Sequence, residues 1–126
     1  MSARAALIVG ILVVLAGCSE PTAAERAAEQ ARWDAEAARQ PERKALIEKL
    51  QREDLIGRVE WRDSACTLWV GPRFRALTFE EKQSFAGVVA AYGATERRDE
   101  GYLVRLHDLH SGRQIGSYCL GRLELD

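Results

Sequence analysis

The two histidines of the chain, His107 and His110, stand three residues apart with Asp108 between them. A His-x-x-His pair beside a carboxylate can hold zinc and activate a water, and Cys66 or Cys119 would add sulfur to the ligand set. The spacing argues against convergence. The segment reads as a strand running into a turn, and three residues along a strand put side chains on opposite faces. No cysteine pair stands at ligand spacing, so neither a metal nor another cofactor is expected. A hydrolase using His107, Asp108 and His110, or a metal-dependent protein, is the second reading. Acyl transfer lacks a Gly-x-Ser-x-Gly elbow. Glu80 and Glu81 are accounted for by the positive end of a helix, whereas glycoside hydrolysis needs two carboxylates facing across a cleft.

Arginine and aromatic residues offer binding chemistry instead. Arg73, Arg75, Arg97, Arg98, Arg105 and Arg113 fall on loops and one polar strand face. Gathered, they would hold a phosphate or a glycan carboxylate; balanced by Glu96, Asp99 and Glu100, they read as a solvated surface, which is the preferred reading. A formal net charge of −1 gives no electrostatic drive toward nucleic acid. Trp69, Arg73 and Phe74 surround Gly71-Pro72 and form the candidate interaction surface. Aromatics beside a loop either recognise a partner or plug the end of a small core.

The third chemistry is covalent. Met1 to Arg4 is a short cationic start, and Ala5 to Leu15 an apolar run too short to span a bilayer. Leu15-Ala16-Gly17-Cys18 follows and resembles the lipobox of bacterial lipoproteins. The resemblance implies that residues 1–17 are a signal peptide and that Cys18 becomes the lipid-bearing first residue. Ser19, rather than aspartate, after that cysteine resembles outer-membrane sorting, with the domain facing the periplasm. With Cys18 set aside for lipid, Cys66 and Cys119 remain as an even pair in an oxidising compartment, and a disulfide is expected. Closing so long a loop is worth about 4 kcal/mol by the entropy it removes from the unfolded chain.

These groups need elements to position them. Residues 18–41 form a tether rich in Ala, Glu and Arg whose large apolar residue is Trp33. An alanine stripe buries little, so a partly frayed helix is expected, holding the domain about 30 Å from the membrane if fully helical. Pro41 interrupts it. The small α+β domain is assigned to residues 42–126. An amphipathic helix over Glu42–Leu55 carries Leu46, Ile47 and Leu50, with Gly57 as its exit. Alternation predicts strands over Arg58–Arg62 and Cys66–Val70, joined as a hairpin and ended by Gly71-Pro72. Thr78 and Glu81 fit a capping box for a helix over Phe79–Tyr92, stopped by Gly93. Two more strands, Tyr102–His107 and Ile115–Leu120, flank the Ser111-Gly112 turn.

The predicted fold is therefore a small antiparallel four-stranded sheet in ββαββ order, packed on one main helix and preceded by the helical tether. Its predicted core is Val59, Trp61, Leu68, Val70, Phe85, Val88, Val89, Val104, Leu106 and Ile115. The stretch Leu68-Trp69-Val70-Gly71-Pro72-Arg73-Phe74, with Leu77, Lys82, Tyr92 and Asp108…Ser111-Gly112, is similar to a functionally uncharacterised family of small bacterial proteins. That family carries a strand–Gly-Pro–aromatic–helix–hairpin pattern. The resemblance implies one domain over residues 55–120 and assigns no chemistry. The expectation is a membrane-anchored envelope lipoprotein, non-catalytic, whose partners are the membrane through Cys18 and an envelope protein or cell-wall component. A purely structural envelope lipoprotein is a third reading.

Overall fold

The computed structural model describes residues 19–126, so the expected signal segment 1–17 and the expected lipidation site Cys18 lie outside the described residues. Helix α1 spans Ala23–Ala38 and opens on a complete capping box. Thr22 accepts from the Glu25 amide while the Glu25 carboxylate accepts from the Thr22 amide. Arg39 ends it and α2 (Gln40–Arg52) begins at once, with Pro41 in its first turn, where a missing amide is harmless. The two helices thus meet at an elbow rather than across a linker.

The tether does not fray. Trp33 is 8 % exposed, and α1 packs on α3 (Phe79–Arg97). Polar contacts hold the elbow in place. The buried Arg43 donates to the Glu36 carboxylate, the Glu36 carbonyl, Gln40 and Thr95. Arg98 donates to Gln30, Arg32 pairs with Glu100, and Gln40 donates to the Tyr92 carbonyl. The alanine stripe buries little by itself, as expected. One tryptophan together with satisfied polar groups supplies the rest, because a buried aromatic carries far more apolar area than several alanines.

Five strands form one mixed sheet in the order β1-β2-β3-β4-β5: Ile56–Trp61, Ala65–Val70, Leu103–Asp108, Gln114–Cys119 and Arg122–Leu125. This corrects the expected four-stranded antiparallel sheet in two respects. First, β2 and β3 are parallel, with Cys66 opposite Val104 and Leu68 opposite Leu106. The cause is the connection. A 19-residue helix rises about 28 Å and carries the chain from the Val70 end of β2 back beside Ala65. Second, β5 pairs with β4 through the Leu120-Gly121 turn, whose φ angles of 50° and 78° are those of a tight hairpin turn.

Helices α2 and α3 cover one face of the sheet. Leu68, Val70, Phe85, Val89, Val104 and Leu106 are buried, joined by Ile47, Ile56, Cys66, Phe74, Tyr102 and Leu123. Val59, Trp61, Val88 and Ile115 pack around them with part of their surface exposed. Gly93 does not stop α3, which runs on to Arg97 and ends with Arg98 at φ 50°. Glycine is needed there for another reason: a Cβ would stand 2.2 Å from the Tyr102 ring. Nor is Gly57 the exit of α2. Asp54 turns the chain at φ 61°, and Gly57 belongs to β1. Thr78 caps α3 by accepting from the Glu81 amide at 3.2 Å.

Candidate functional site: the outer face of the sheet

Strand alternation sends every second residue away from the helices, and among the described residues no helix covers that outer face. Its cross-strand register sets out two rows. One reads Arg58, Trp69, His107, Gln114; the other reads Glu60, Thr67, Arg105, Ser117, Glu124. In the first row the Arg58 guanidinium carbon lies 3.8 Å from the centre of the Trp69 ring, and the His107 ring is 5.8 Å away on the neighbouring strand. A guanidinium flat on an indole is worth about 0.5–1 kcal/mol at an exposed site, and it keeps the hydrogen-bonding edge of arginine turned outward. His107 Nδ1 lies 3.0 Å from the Gly112 carbonyl. A carbonyl only accepts, so Nδ1 is the donor in this contact.

The second row places the exposed Arg105 between the hydroxyls of Thr67 and Ser117. Glu60 and Glu124 are taken up by Arg62 and Arg122, at 2.6 and 3.5 Å. Among the described residues Arg58 and Arg105 have no ion pair. The face lays out two arginines, an aromatic ring, an imidazole and hydroxyls on one sheet.

Of the expected interaction surface, only Trp69 belongs to this face. Phe74 is 1 % exposed, packed on Phe85 with ring centres 5.4 Å apart and lying beneath the Lys82 amine. It plugs the core. Arg73 turns toward α2 and donates to the Glu53 carbonyl at 3.1 Å, near the end of that helix, where a cation is favourable. Gly71 explains why the segment bends so sharply. A Cβ there would meet the Asp54 carbonyl oxygen at 2.0 Å, so glycine permits a backbone approach that no other residue allows.

The His107, Asp108, His110 set does not converge. Asp108 points inward, is nearly buried, and accepts from the Ser111 amide at 3.1 Å and from Arg75 at 3.3 Å. These hydrogen bonds from Ser111, reinforced by the Arg75 charge, hold its carboxyl below the usual carboxylate range. Its task is to tie the turn after β3 to the 3₁₀ turn Pro72–Ala76. His110 is exposed within the turn. Among the described residues no group of three or more His, Cys, Asp or Glu stands close enough to hold a metal ion.

The expected disulfide is not formed: Cys66 and Cys119 are both free. Cys66 lies on the helix-covered face of β2 and Cys119 on the outer face of β4, with β3 between them. Two strand spacings come to about 9.5 Å, beyond the Cα separation a disulfide spans. Burial pushes the Cys66 thiol up to about 12. The arginines also part company. Arg75 serves Asp108, Arg97 lies over the Tyr102 ring, Arg98 serves α1, and Arg105 stands on the outer face.

Sequence reasoning missed Arg58 and His107 as neighbours of Trp69. Each was legible as an outward strand residue; Arg58 meets Trp69 across the β1–β2 hairpin, whereas His107 meets it only through the parallel β2–β3 pairing. No helix of the described residues is long and apolar enough to cross a membrane. Compared with known proteins, the chain matches no family model, no curated protein and no solved structure.

Proposed function

We propose that the chain is an envelope lipoprotein, anchored through lipid on Cys18 at the outer membrane and facing the periplasm. Its domain binds an envelope protein or cell-wall component without catalysing a reaction on it. The observation that carries this reading is the Arg58–Trp69–His107 row on an uncovered sheet face. A tryptophan that faces solvent, with a guanidinium held on its ring, is the kind of rigid anchor that dominates binding energy at interfaces. The docking of α1 on the helix side supports the same reading, because the anchored segment leaves the outer face open.

The test is a photo-crosslinking amino acid at Thr67 in the full-length chain, irradiated in intact cells, with the same group at Glu48 on α2 as the control. The expected result is a discrete adduct from position 67 that Trp69→Ala abolishes. No adduct from position 67, or equal adducts from both positions, removes the outer face as the binding site.

A further inference from the structure

The exposed large apolar residues include Leu120, 77 % exposed, at the tip of the β4–β5 hairpin. Its backbone is as unusual as its exposure. At φ 50° it occupies the left-handed region, where asparagine, aspartate or glycine is normally found and a bulky side chain is a genuine outlier. A leucine here gains little from burial within the domain and strains the turn.

The position of α1 indicates what this side chain faces. Gln30 meets Arg98, Arg32 meets Glu100, and Arg26 borders the same hollow as Arg98, so the first half of α1 lies where α3 stops. Leu120 is at this end too. It lines a hollow of about 180 Å³ with Glu100 and Tyr102, and Cys119 Sγ stands 3.7 Å from the Gly101 carbonyl. From Arg26 back to Cys18 are one helical turn and the four residues Ser19–Thr22, a span of about 20 Å at most. A docked α1 therefore brings this end of the domain down to the lipid. Arg26 and Arg98, neither in an ion pair among the described residues, supply cations for phosphate headgroups.

We infer that the end of the domain carrying the Leu120-Gly121 turn rests on the bilayer that holds the Cys18 lipid. Leu120 enters the boundary between headgroups and acyl chains, and Arg26 and Arg98 meet the phosphates. The inference rests on the anchored-lipoprotein reading above. It sets the domain's orientation: the Arg58–Trp69–His107 row, toward the opposite end of the sheet, lies away from the membrane.

The experiment uses the full-length acylated chain in vesicles of phosphatidylethanolamine and phosphatidylglycerol with brominated acyl chains, which quench tryptophan on contact. Leu120→Trp is compared with Leu109→Trp, which lies past the far end of β3. Added emission from position 120 is expected to be blue-shifted and strongly quenched, and that from position 109 to be untouched. No quenching at 120, or equal quenching at both, overturns the inference.

Hydrogen exchange gives a second readout that does not depend on a tryptophan in the strained turn. Binding to vesicles slows amides 119–122 of the natural chain by at least about threefold but not those of Leu120→Asn, whose new residue suits the backbone. Equal protection in both chains overturns it. Incorporation of labelled palmitate, lost in Cys18→Ala, checks the anchor separately. Without label the anchored reading fails; with label but no quenching, only the orientation does.

Discussion

Cys66 and Cys119 differ in everything that governs thiol chemistry. Cys66 is 1 % exposed and its thiol is pushed up to about 12 by burial, while Cys119 is half-exposed on the outer face. The thiolate is the reacting species, so native alkylation with iodoacetamide at neutral pH is expected to modify Cys119 and spare Cys66. Both react after unfolding. A mass lower by two hydrogens, with no alkylation, would show that the pair is oxidised. A second expectation concerns Gly93, whose Cβ position is occupied by the Tyr102 ring at 2.2 Å. Tyr102 has little room to move, because its hydroxyl donates within 2.9 Å of both the Arg62 and Ala65 carbonyls. Gly93→Ala should therefore destabilise by about 1–3 kcal/mol, read as a lower urea midpoint with an unchanged slope. At this scale the sequence identified residue types well and their uses poorly. Strand alternation set Trp69 on the face opposite Leu68 and Val70, but nothing local said that Phe74, five residues on and past Gly71-Pro72, turns into the core.

Among the elements, α1 is the one whose behaviour the structure changes most. Its attachment runs through Trp33 and the Arg43 cluster, which joins α1, α2 and α3. Trp33→Ala should release α1 while leaving the sheet intact. Amide exchange over residues 23–38 is expected to accelerate by at least tenfold, about 1.4 kcal/mol, with β2 and β3 amides unchanged. Uniform acceleration everywhere would mean that α1 and the sheet unfold as one unit. Existence and type of α2, α3 and four strands were readable, because each has a clean period: Leu46, Ile47 and Leu50 in α2, and Val104 and Leu106 in β3. Two features were not. Arg122–Leu125 is four residues long, with Leu123 buried and Leu125 exposed, too brief for alternation to register. The parallel pairing of β2 with β3 is a property of the connection, and it emerges only when the length of α3 is measured against the strands it joins.

For the molecule as a whole, two carboxylates clamp opposite ends, and both are held below their usual range. Hydrogen bonding from Arg43 is the main cause at Glu36, opposed by some desolvation and reinforced by the charges of Arg43, Arg39 and Arg32. At Asp108 the main cause is hydrogen bonding from Ser111. A carboxyl whose folded-state pKa is depressed binds its proton more readily in the unfolded chain. Its contribution to stability is therefore complete above the ordinary carboxylate value, near 4, and is lost as pH falls through the lower folded-state value. Acidification should thus loosen the α1–α2 elbow and the turn after β3 within the same pH range, although the two sites lie on different elements and share no residue. The urea midpoint is expected to hold steady from pH 7 to about 5 and to fall below about 4. Sites that share no partner contribute additively, so Glu36→Gln and Asp108→Asn should each flatten part of that fall and the double variant most of it. Both single variants should be less stable than the natural chain at pH 7 and closer to it at pH 3. An acid limb unchanged in the double variant would place the acid sensitivity on other carboxylates, and the two clamps would then be matters of geometry alone.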